Sequence, residues 1–438
     1  MTDTSLQTAP HVDLPQCDVL IIGGGPAGST SAALLAEKGW RVVVLDKDVH
    51  PRFHIGESLL PMNLPLFERL GVADQVRAIG MPKFGAEFVS QTHGDRAITY
   101  YFNDALDKNH PSAYQVRRSQ FDHILLNNSA AKGAEVHQGT RVDDIAFDAE
   151  GAVVRARAAQ GDALRWRTKF VLDASGRETF LASRMNLKRR NKRHNSAAVY
   201  AHFEGTERRP DADAGNISIF WFAHGWFWLI PLYDGVTSVG AVCWPYYLKS
   251  RKTDVETFFR DTIALCPGVA ERLQNASLVS QVTATGNYSY QATRMSGERF
   301  LLVGDAFAFI DPVFSTGVYL AMQSAFYAAD VVDDCLKNPA VAPVRMREYE
   351  EGVRAALKTF SWFIYRVTTP AIRDMFMDPI NLFRVREAVL SLLAGDVFRK
   401  SSLKARIRAF KMLYYLKSAV QLPRSVAAYR TRQRNLRG

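Results

Sequence analysis

The feature that most constrains the fold is the segment "CDVLIIGGGPAGSTSAALLAEKGWRVVVLDKD" near the start of the chain. Its apolar and small residues predict three elements in the order strand, helix, strand, over residues 18–22, 26–38 and 41–45. Between the first strand and the helix, Gly23, Gly25 and Gly28 have the spacing GxGxxG. Such glycines allow a tight turn and let the backbone approach a pyrophosphate, to which the helix N-terminus presents N–H donors. The segment therefore predicts an α/β fold of the Rossmann type that binds a dinucleotide.

An acidic residue supports this interpretation. Asp46 ends the second strand, 18 residues after Gly28, where its carboxylate can accept a hydrogen bond from a ribose hydroxyl. We place Pro26, Ala27 and Lys47 at the same predicted cofactor site.

The composition narrows the class of protein. The chain has 438 residues, of which 47% are hydrophobic and 23% charged, as is usual for globular proteins. Its four cysteines are scattered without a CxxC pair, which argues against a zinc site and a disulfide framework. We therefore expect no metal. Residues 1–15 are predicted to be a loose leader without the features of a signal peptide, so we expect a cytoplasmic protein, with peripheral attachment to the inner membrane face left open.

The positive charge is concentrated at the C-terminal end. Of the net charge of +11, all is carried by Lys400–Gly438, here called the basic tail, which has 11 Lys and Arg and no Asp or Glu. Leu403, Ile407, Phe410 and Tyr414 have helical spacing, so residues 356–438 are predicted to be a basic helical region. One interpretation is a dock for an acidic acyl carrier protein or an anionic membrane surface, and the other is a helical cap. No nucleic-acid fold accompanies the tail, so nucleic acid is not an expected partner.

Three further segments resemble motifs of the glutathione-reductase-type FAD enzymes. Their order along the chain resembles that of the aromatic-hydroxylase-like members of this class. "RFLLVGDAFAFIDPVFSTGVYLAMQSA" has the Gly-Asp pair at Gly304 and Asp305, "FVLDASGRETFLASRM" has Asp173, and "VRRSQFDHIL" has Arg118. The resemblance implies that Asp305 holds a ribityl hydroxyl and that Arg118 contacts the flavin. The implied FAD-binding domain is discontinuous, over residues 16–190 and 295–355.

The region between these motifs has a different pattern. Residues 191–294 contain segments such as "SAAVYAHFEG", "NISIFWFA" and "TSVGAVCW", in which aromatic and β-branched residues alternate with others. This period of two predicts an interposed antiparallel sheet, which would pack against the flavin as a substrate layer.

One stretch of that sheet identifies a narrower family. "GWFWLIPL" places Trp226 and Trp228 on one face of a strand and Phe227 on the other. The two tryptophans, together with Ile230 and Pro231, match the WxWxIP motif of flavin-dependent halogenases. Trp226, Trp228, Ile230 and Pro231 are here called the tryptophan wall. "PRFHIGESLLP" and "DPVFSTGV" resemble stretches of the halogenases that act on phenols, pyrroles and carrier-bound aromatics. The resemblance covers about residues 16–360.

This resemblance implies a reaction. A separate flavin reductase would supply FADH2, which with O2 and chloride or bromide yields hypohalous acid. That acid would move through a tunnel to a catalytic lysine, which matches Lys83 in "GMPKFGAEF", and then halogenate an electron-rich ring. The tryptophan wall would separate flavin from substrate, and the backbone N–H groups of Thr316 and Gly317 would bind the halide.

The same resemblance completes the predicted site. Eight further cofactor contacts are Arg52, Ile55, Gly56, Glu57, Ser58, Pro312, Gly317 and Val318. Phe314 stands where the tryptophan-type halogenases have a catalytic glutamate, so free tryptophan is disfavoured as substrate. A phenol or pyrrole, tethered or free, in pigment or antibiotic biosynthesis is favoured.

Two other functions stay open at this point. A single-component FAD monooxygenase that hydroxylates an aromatic would share the fold and the FAD motifs. A non-catalytic FAD-binding protein that recruits partners through the basic tail would share them as well. The sequence leaves the oligomeric state, the halide and the regiochemistry undetermined.

Overall fold

The computed structural model describes residues 14–191, 194–286, 289–379, 381, 384–398 and 403–437. Most of the predicted leader, as well as Lys400 and Gly438 of the basic tail, lies outside these residues. Within the described ranges, no helix is both long and apolar enough to cross a membrane.

The strands are β1 (Gln16–Ile22), β2 (Val42–Leu45), β3 (Met81–Lys83), β4 (Gly85–Ser90), β5 (Arg96–Tyr101), β6 (Ala113–Gln115), β7 (Glu135–His137), β8 (Thr140–Phe147), β9 (Ala152–Ala158), β10 (Ala163–Asp173), β11 (Lys188–Arg190), β12 (Ala197–Glu204), β13 (Ile217–Phe222), β14 (Gly225–Pro231), β15 (Val236–Cys243), β16 (Ser277–Leu278), β17 (Thr283–Thr285), β18 (Tyr290–Ala292), β19 (Ser296–Gly297), β20 (Phe300–Leu302) and β21 (Ala308–Phe309).

The helices are α1 (Pro26–Glu37), α2 (Leu64–Leu70), α3 (Ala73–Ile79), α4 (Arg118–Ala131), α5 (Phe180–Arg184), α6 (Pro245–Lys249), α7 (Val255–Ala264), α8 (Pro267–Arg272), α9 (Thr316–Lys337), α10 (Ala342–Ile364), α11 (Pro370–Met377), α12 (Val385–Leu393), α13 (Leu403–Val420) and α14 (Leu422–Arg437).

The first large sheet contains the predicted Rossmann unit. Its order is β19-β20-β10-β1-β2-β7, with β8 and β9 added through an antiparallel edge on β10. β1 pairs in parallel with β10 and β2, and the apolar residues 19–22, 42–45 and 170–172 of these three strands are buried, as is usual in a parallel sheet. Helices α1, α4 and α9 pack together beside this sheet. The predicted strand-helix-strand unit is confirmed within one or two residues at its ends.

The second large sheet is the predicted aromatic layer, with the order β16-β12-β15-β14-β13-β4-β5. Its pairs are antiparallel except β13 with β4, which run parallel. Trp226 and Trp228 lie on one face, in a core shared with the C-terminal helices, whereas Phe227 lies on the opposite face. That opposite face packs against α7 and α8 through Phe259 and Val269. The alternation read from "GWFWLIP" is thus confirmed.

The boundary of this sheet differs from the predicted one at 191–294. Strands β4 and β5 come from within residues 16–190, yet they pair with each other and with β13 at the edge of the aromatic layer. Their sequences do form strands, but the partner of a strand is chosen by tertiary packing rather than by its own pattern. The first segment of the predicted FAD-binding domain therefore also contributes strands to the aromatic layer.

The C-terminal helices form a cap on the tryptophan-bearing face. Leu403, Ile407, Phe410 and Tyr414 of α13 are buried in the same core as Trp226, as their spacing predicted. The ring centroids of Phe410 and Phe363 lie 5.3 Å apart. At least part of the basic tail is therefore a structural element of the fold.

Candidate active site

A cavity of about 1240 Å³ lies between the Rossmann sheet and the aromatic layer. It exceeds the range of about 300–1,000 Å³ that is usual for small-ligand pockets. The predicted residues that line it are Gly23, Gly25, Pro26, Ala27, Asp46, Lys47, Arg52, Ile55, Gly56, Glu57, Ser58, Arg118, Trp226, Trp228, Ile230, Asp305, Pro312, Thr316, Gly317 and Val318. Residues from distant parts of the sequence thus converge on one space that is large enough for a dinucleotide.

Five predicted residues do not line this cavity: Gly28, Lys83, Asp173, Pro231 and Gly304. Asp173 is buried and accepts hydrogen bonds from the backbone N–H groups of Ser175 and Leu181, at 3.0 and 2.7 Å. Burial raises its pKa against the effect of those bonds. Its carboxylate therefore shapes the turn after β10, and the structure does not bring it to the predicted cofactor.

The glycines of the βαβ turn are required by their surroundings. Gly23 has a φ of +98°, and a Cβ there would lie 2.6 Å from the carbonyl oxygen of Ala174. At Gly28 a Cβ would lie 1.8 Å from the carbonyl oxygen of Gly23. Asp46 fixes the same turn by accepting from the Gly24 N–H at 2.7 Å. This close-packed cradle at the N-terminus of α1 fits a pyrophosphate, and so fits FAD.

Arg118 connects the flavin side of the cavity to the "HIGES" loop. Its guanidinium donates to the Asp122 carboxylate at 2.8 and 3.0 Å and to the Ile55 carbonyl at 3.0 Å. Burial alone would raise the pKa of Asp122, but Arg118 and Arg52 hold it below its ordinary value. The ion pair therefore holds the Arg118 guanidinium in a fixed orientation at the cavity wall.

Asp305 faces the cavity from the turn after β20. Burial raises the pKa of its carboxyl to about 6, and Arg118 and Arg177 oppose that rise. A desolvated carboxyl of this kind gains stability from a hydroxyl that donates to it. The position fits the predicted contact with a ribityl hydroxyl.

The tryptophan wall closes the cavity on the side of the aromatic layer. The rings of Trp226 and Trp228 lie 6.0 Å apart at 52°. Trp228 Nε1 donates to Ser238 Oγ at 3.1 Å, which fixes the ring. The Trp228 ring also covers Gly240 so closely that a Cβ there would lie 2.2 Å from it. The Trp228 ring is therefore held in place, and Pro231 ends its strand without lining the cavity.

Lys83 lies in a separate, closed environment. Its side chain is 2% exposed, and its Nζ donates to Ser58 Oγ at 2.8 Å and to the Leu59 carbonyl at 3.2 Å. The same Nζ lies 5.4 Å from the centre of the Phe102 ring. Desolvation lowers the pKa of Lys83 to about 7. Ser58 lines the cavity, so this hydroxyl separates the flavin side from the amine of Lys83.

The predicted halide site lies at the N-terminus of a long helix. Residues 311–317, here called the halide loop, lead into α9, which begins at Thr316 and extends for 22 residues. Ser315 before it has a φ of +54°, which turns the chain sharply into the helix. The free N–H groups of the first turn and the helix dipole favour an anion there. Phe314 is buried in the aromatic core, so no side-chain carboxylate occupies that position.

Sequence reasoning missed two histidine–carboxylate pairs at the cavity. His202 Nε2 donates to Glu57 Oε1 at 2.8 Å, and His194 Nε2 donates to Asp311 Oδ2 at 2.8 Å. Arg177, which also lines the cavity, was missed although it lies in the segment "FVLDASGRETFLASRM", four residues after Asp173. For the histidines the only signal was the alternation of polar and apolar residues in "HNSAAVYAHF".

Comparisons with known proteins agree with this geometry. A family model described as an FAD binding domain matches residues 16–356. The 1H-pyrrole-2-carbonyl-[peptidyl-carrier protein] chlorinase of Pseudomonas fluorescens is 30% identical, over 87% of this chain and 89% of its own length. A tryptophan 2-halogenase of Chondromyces crocatus is 34% identical, over 71% of this chain and 60% of its own length. The structure of the myxobacterial chondrochloren halogenase CndH superimposes with a TM-score of 0.77 at 33% identity, over 92% of this chain and 97% of that one.

Proposed function

This chain belongs to the flavin-dependent halogenases, and from that premise we propose that its substrate is a phenol or pyrrole ring tethered to an acyl carrier protein. The enzyme is an oxidoreductase that uses FAD, O2 and a halide to halogenate an aromatic ring. The pairing of a large cavity that fits FAD with a fully buried lysine behind Ser58 supports halogenation. The observation that carries the tethered substrate is the exposed basic face of α13.

The position of each residue in the cavity supports a proposed role in the reaction. When bound, reduced FAD supplies with O2 the oxidising power that converts a halide into hypohalous acid. Thr316 and Gly317 would hold the halide by their N–H groups, and the tryptophan wall would keep the aromatic substrate away from the flavin. Because the pKa of Lys83 is about 7, a large fraction of its amine is uncharged near neutral pH and can hydrogen-bond or react with hypohalous acid.

The charge of the C-terminal helices favours a tethered substrate. Lys404 and Arg408 are exposed on α13, while Leu403 and Ile407 are buried beneath them. Acyl carrier proteins are acidic, so an exposed basic helix would attract one and raise its association rate. The relative from Pseudomonas fluorescens acts on a pyrrole that is bound to a peptidyl carrier protein, which supports the same class of substrate.

The decisive experiment measures products by mass spectrometry. The purified enzyme, FAD, a flavin reductase and NADH would be mixed with a pyrrolyl or phenolic carrier protein, with the free acid, or with free tryptophan, in chloride, in bromide or without halide. We expect halogenated product from a carrier-bound ring only. A halogenated free acid or free tryptophan would refute tethering. A hydroxylated product in halide-free buffer would instead favour the monooxygenase.

The reductase requirement has its own test. The chain shows a single GxGxxG unit, at Gly23, and we propose that a separate reductase supplies the reduced cofactor. The pure protein with FAD should consume NADPH no faster than free FAD does. Rapid NADPH oxidation by the protein alone would contradict a two-component enzyme.

Docking can be tested without deleting the tail, because truncation would expose the buried face of α13. In the variant Lys404→Gln/Arg408→Gln we expect weaker carrier binding at low salt and no difference at high salt, since the attraction is screened. The matched control is Arg251→Gln/Lys252→Gln, which removes the same charge from an exposed loop. Equal binding by both variants would refute docking on α13, and loss of binding to anionic vesicles instead would assign this surface to a membrane.

A further inference from the structure

The halide loop begins with a buried carboxylate. Asp311 lines the cavity and is 4% exposed, and its Oδ1 accepts from the N–H of Val313 at 3.2 Å. Its Oδ2 accepts from His194 Nε2 at 2.8 Å and from Ser196 Oγ at 2.9 Å. Three donors therefore surround one carboxylate, a few residues before the predicted halide contacts.

A carboxylate at this position opposes the binding of an anion. In a desolvated pocket, repulsion between two negative charges is much stronger than in water. Hydrogen bonds from His194 and Ser196 offset the negative charge on Oδ2, and the bond from Val313 does the same on Oδ1. The network therefore reduces the repulsion between Asp311 and a bound halide, while Asp311 still accepts the hydrogen bond from Val313 that shapes the loop.

The imidazole of His194 is fixed from two sides. It stacks on the ring of Tyr365 with centroids 5.4 Å apart at 25°, and it meets the edge of Trp244 at 6.1 Å. Asn191 in turn donates to the Tyr365 hydroxyl at 2.5 Å. The ring is thus held with Nε2 towards Asp311, and the hydrogen bond does not depend on a mobile side chain.

A histidine also meets a second carboxylate of the cavity. Glu57 is 1% exposed and accepts from His202 Nε2 at 2.8 Å. His202 lies in β12, and His194 lies three residues before the start of that strand. Two acidic residues at the cavity wall are therefore each matched by a histidine from within or just before β12.

We propose that His194 is a positioning residue for the halide, which offsets the charge of Asp311 and fixes the loop that presents the N–H groups of Thr316 and Gly317. The proposal rests on the halide site proposed above. It assigns to His194 no contact with the halide itself, only an effect through Asp311.

The test is a bromide titration of the oxidised, FAD-loaded enzyme, followed by flavin absorbance and by the shift in Tm. We expect His194→Ala to raise the bromide Kd about 10-fold, because the uncompensated carboxylate of Asp311 then repels the anion more strongly. In turnover, the KM for bromide should rise with little change in kcat. The double variant His194→Ala/Asp311→Asn should restore bromide affinity, because the uncompensated charge is gone while the new amide oxygen can still accept from the N–H of Val313.

The controls separate this idea from general damage. His224→Ala alters a histidine outside the cavity, which bonds Tyr246 and stacks on Tyr247, and should leave the bromide Kd unchanged. If His194→Ala does not fold, the same comparison is made with His194→Leu, which fills more of the space and cannot donate to Asp311, with and without Asp311→Asn. Unchanged bromide affinity in the single variant, or no recovery in the double variant, would overturn the proposal. No bromide response from the wild-type enzyme would instead refute the halide site on which it rests.

Discussion

The polar groups on the two sides of Ser58 differ in their access to the cavity and in whether they have an ionic partner. On the flavin side, Arg118 and Asp305 border a large cavity, and Arg118 has an ionic partner in Asp122. On the other side, Lys83 is enclosed and donates to neutral acceptors. Burial there lowers the pKa of its amine to about 7. The flavin side therefore suits a charged ligand, whereas burial on the lysine side lowers the pKa of the amine. Variants on the two sides should therefore fail in different steps.

The largest effect is expected for Lys83→Ala. Loss of the amine should lower the rate of product formation about 100-fold or more, as for removal of other groups that act directly in the chemistry. Reoxidation of flavin and formation of hypohalous acid, measured with a chlorination trap, should continue. Lys252→Ala, at an exposed position, is the control. Normal product from Lys83→Ala would remove Lys83 from the mechanism.

Gly28→Ala should weaken FAD binding on the flavin side of Ser58. The new Cβ would meet the Gly23 carbonyl oxygen at 1.8 Å, so the turn that receives the pyrophosphate must move. We expect FAD affinity to fall about 100-fold, equivalent to roughly 3 kcal/mol. Gly352→Ala is a matched control, since α10 has open space there and alanine favours a helix. Equal FAD binding by the two variants would show that the cradle is not rigid.

Gly240→Ala tests the tryptophan wall. The added methyl would lie 2.2 Å from the Trp228 ring and would force the ring to tilt, at a cost of about 1–3 kcal/mol of unfolding free energy. Denaturant unfolding and tryptophan fluorescence would measure the loss and the change of environment. FAD affinity should be less affected than in Gly28→Ala. A stable variant with unchanged fluorescence would mean that the wall can adapt.

The smallest effect is expected from Lys83→Met on stability. The folded pKa of about 7 lies below the ordinary 10.5, so the unfolded chain binds more protons between these values, and the wild type gains stability as pH rises through that window. The cost of burying the charge is therefore fully present below pH 7 and disappears towards pH 10.5. The stability gain of Lys83→Met over the wild type should therefore be greatest below pH 7 and should shrink as pH rises towards 10.5. Tm curves for both proteins would show this, and a gain independent of pH would contradict the desolvated amine.

Local patterns decided a large part of the fold. The strand, turn and helix around Gly23 follow from apolar runs and from glycine stereochemistry, which neighbouring residues alone specify. The opposite faces of Trp226 and Phe227, and the buried stripe of α13, follow from periods of 2 and 3.6 residues. For the same reason these features could be predicted before any long-range contact was known.

Other features required the tertiary structure. The sheet takes β4 and β5 from the first half of the chain, and Asp173 turns inward to hold a loop, because strand partners and side-chain bonds depend on what packs nearby. His194 and Asp311 are 117 residues apart, and His202 and Glu57 are 145 apart. The sequence by itself determined a Rossmann cofactor site, an aromatic wall and an amphipathic cap. Only the tertiary structure decided which carboxylates meet histidines and that Lys83 is sealed, because hydrogen bonding and desolvation arise from contacts that no local pattern records.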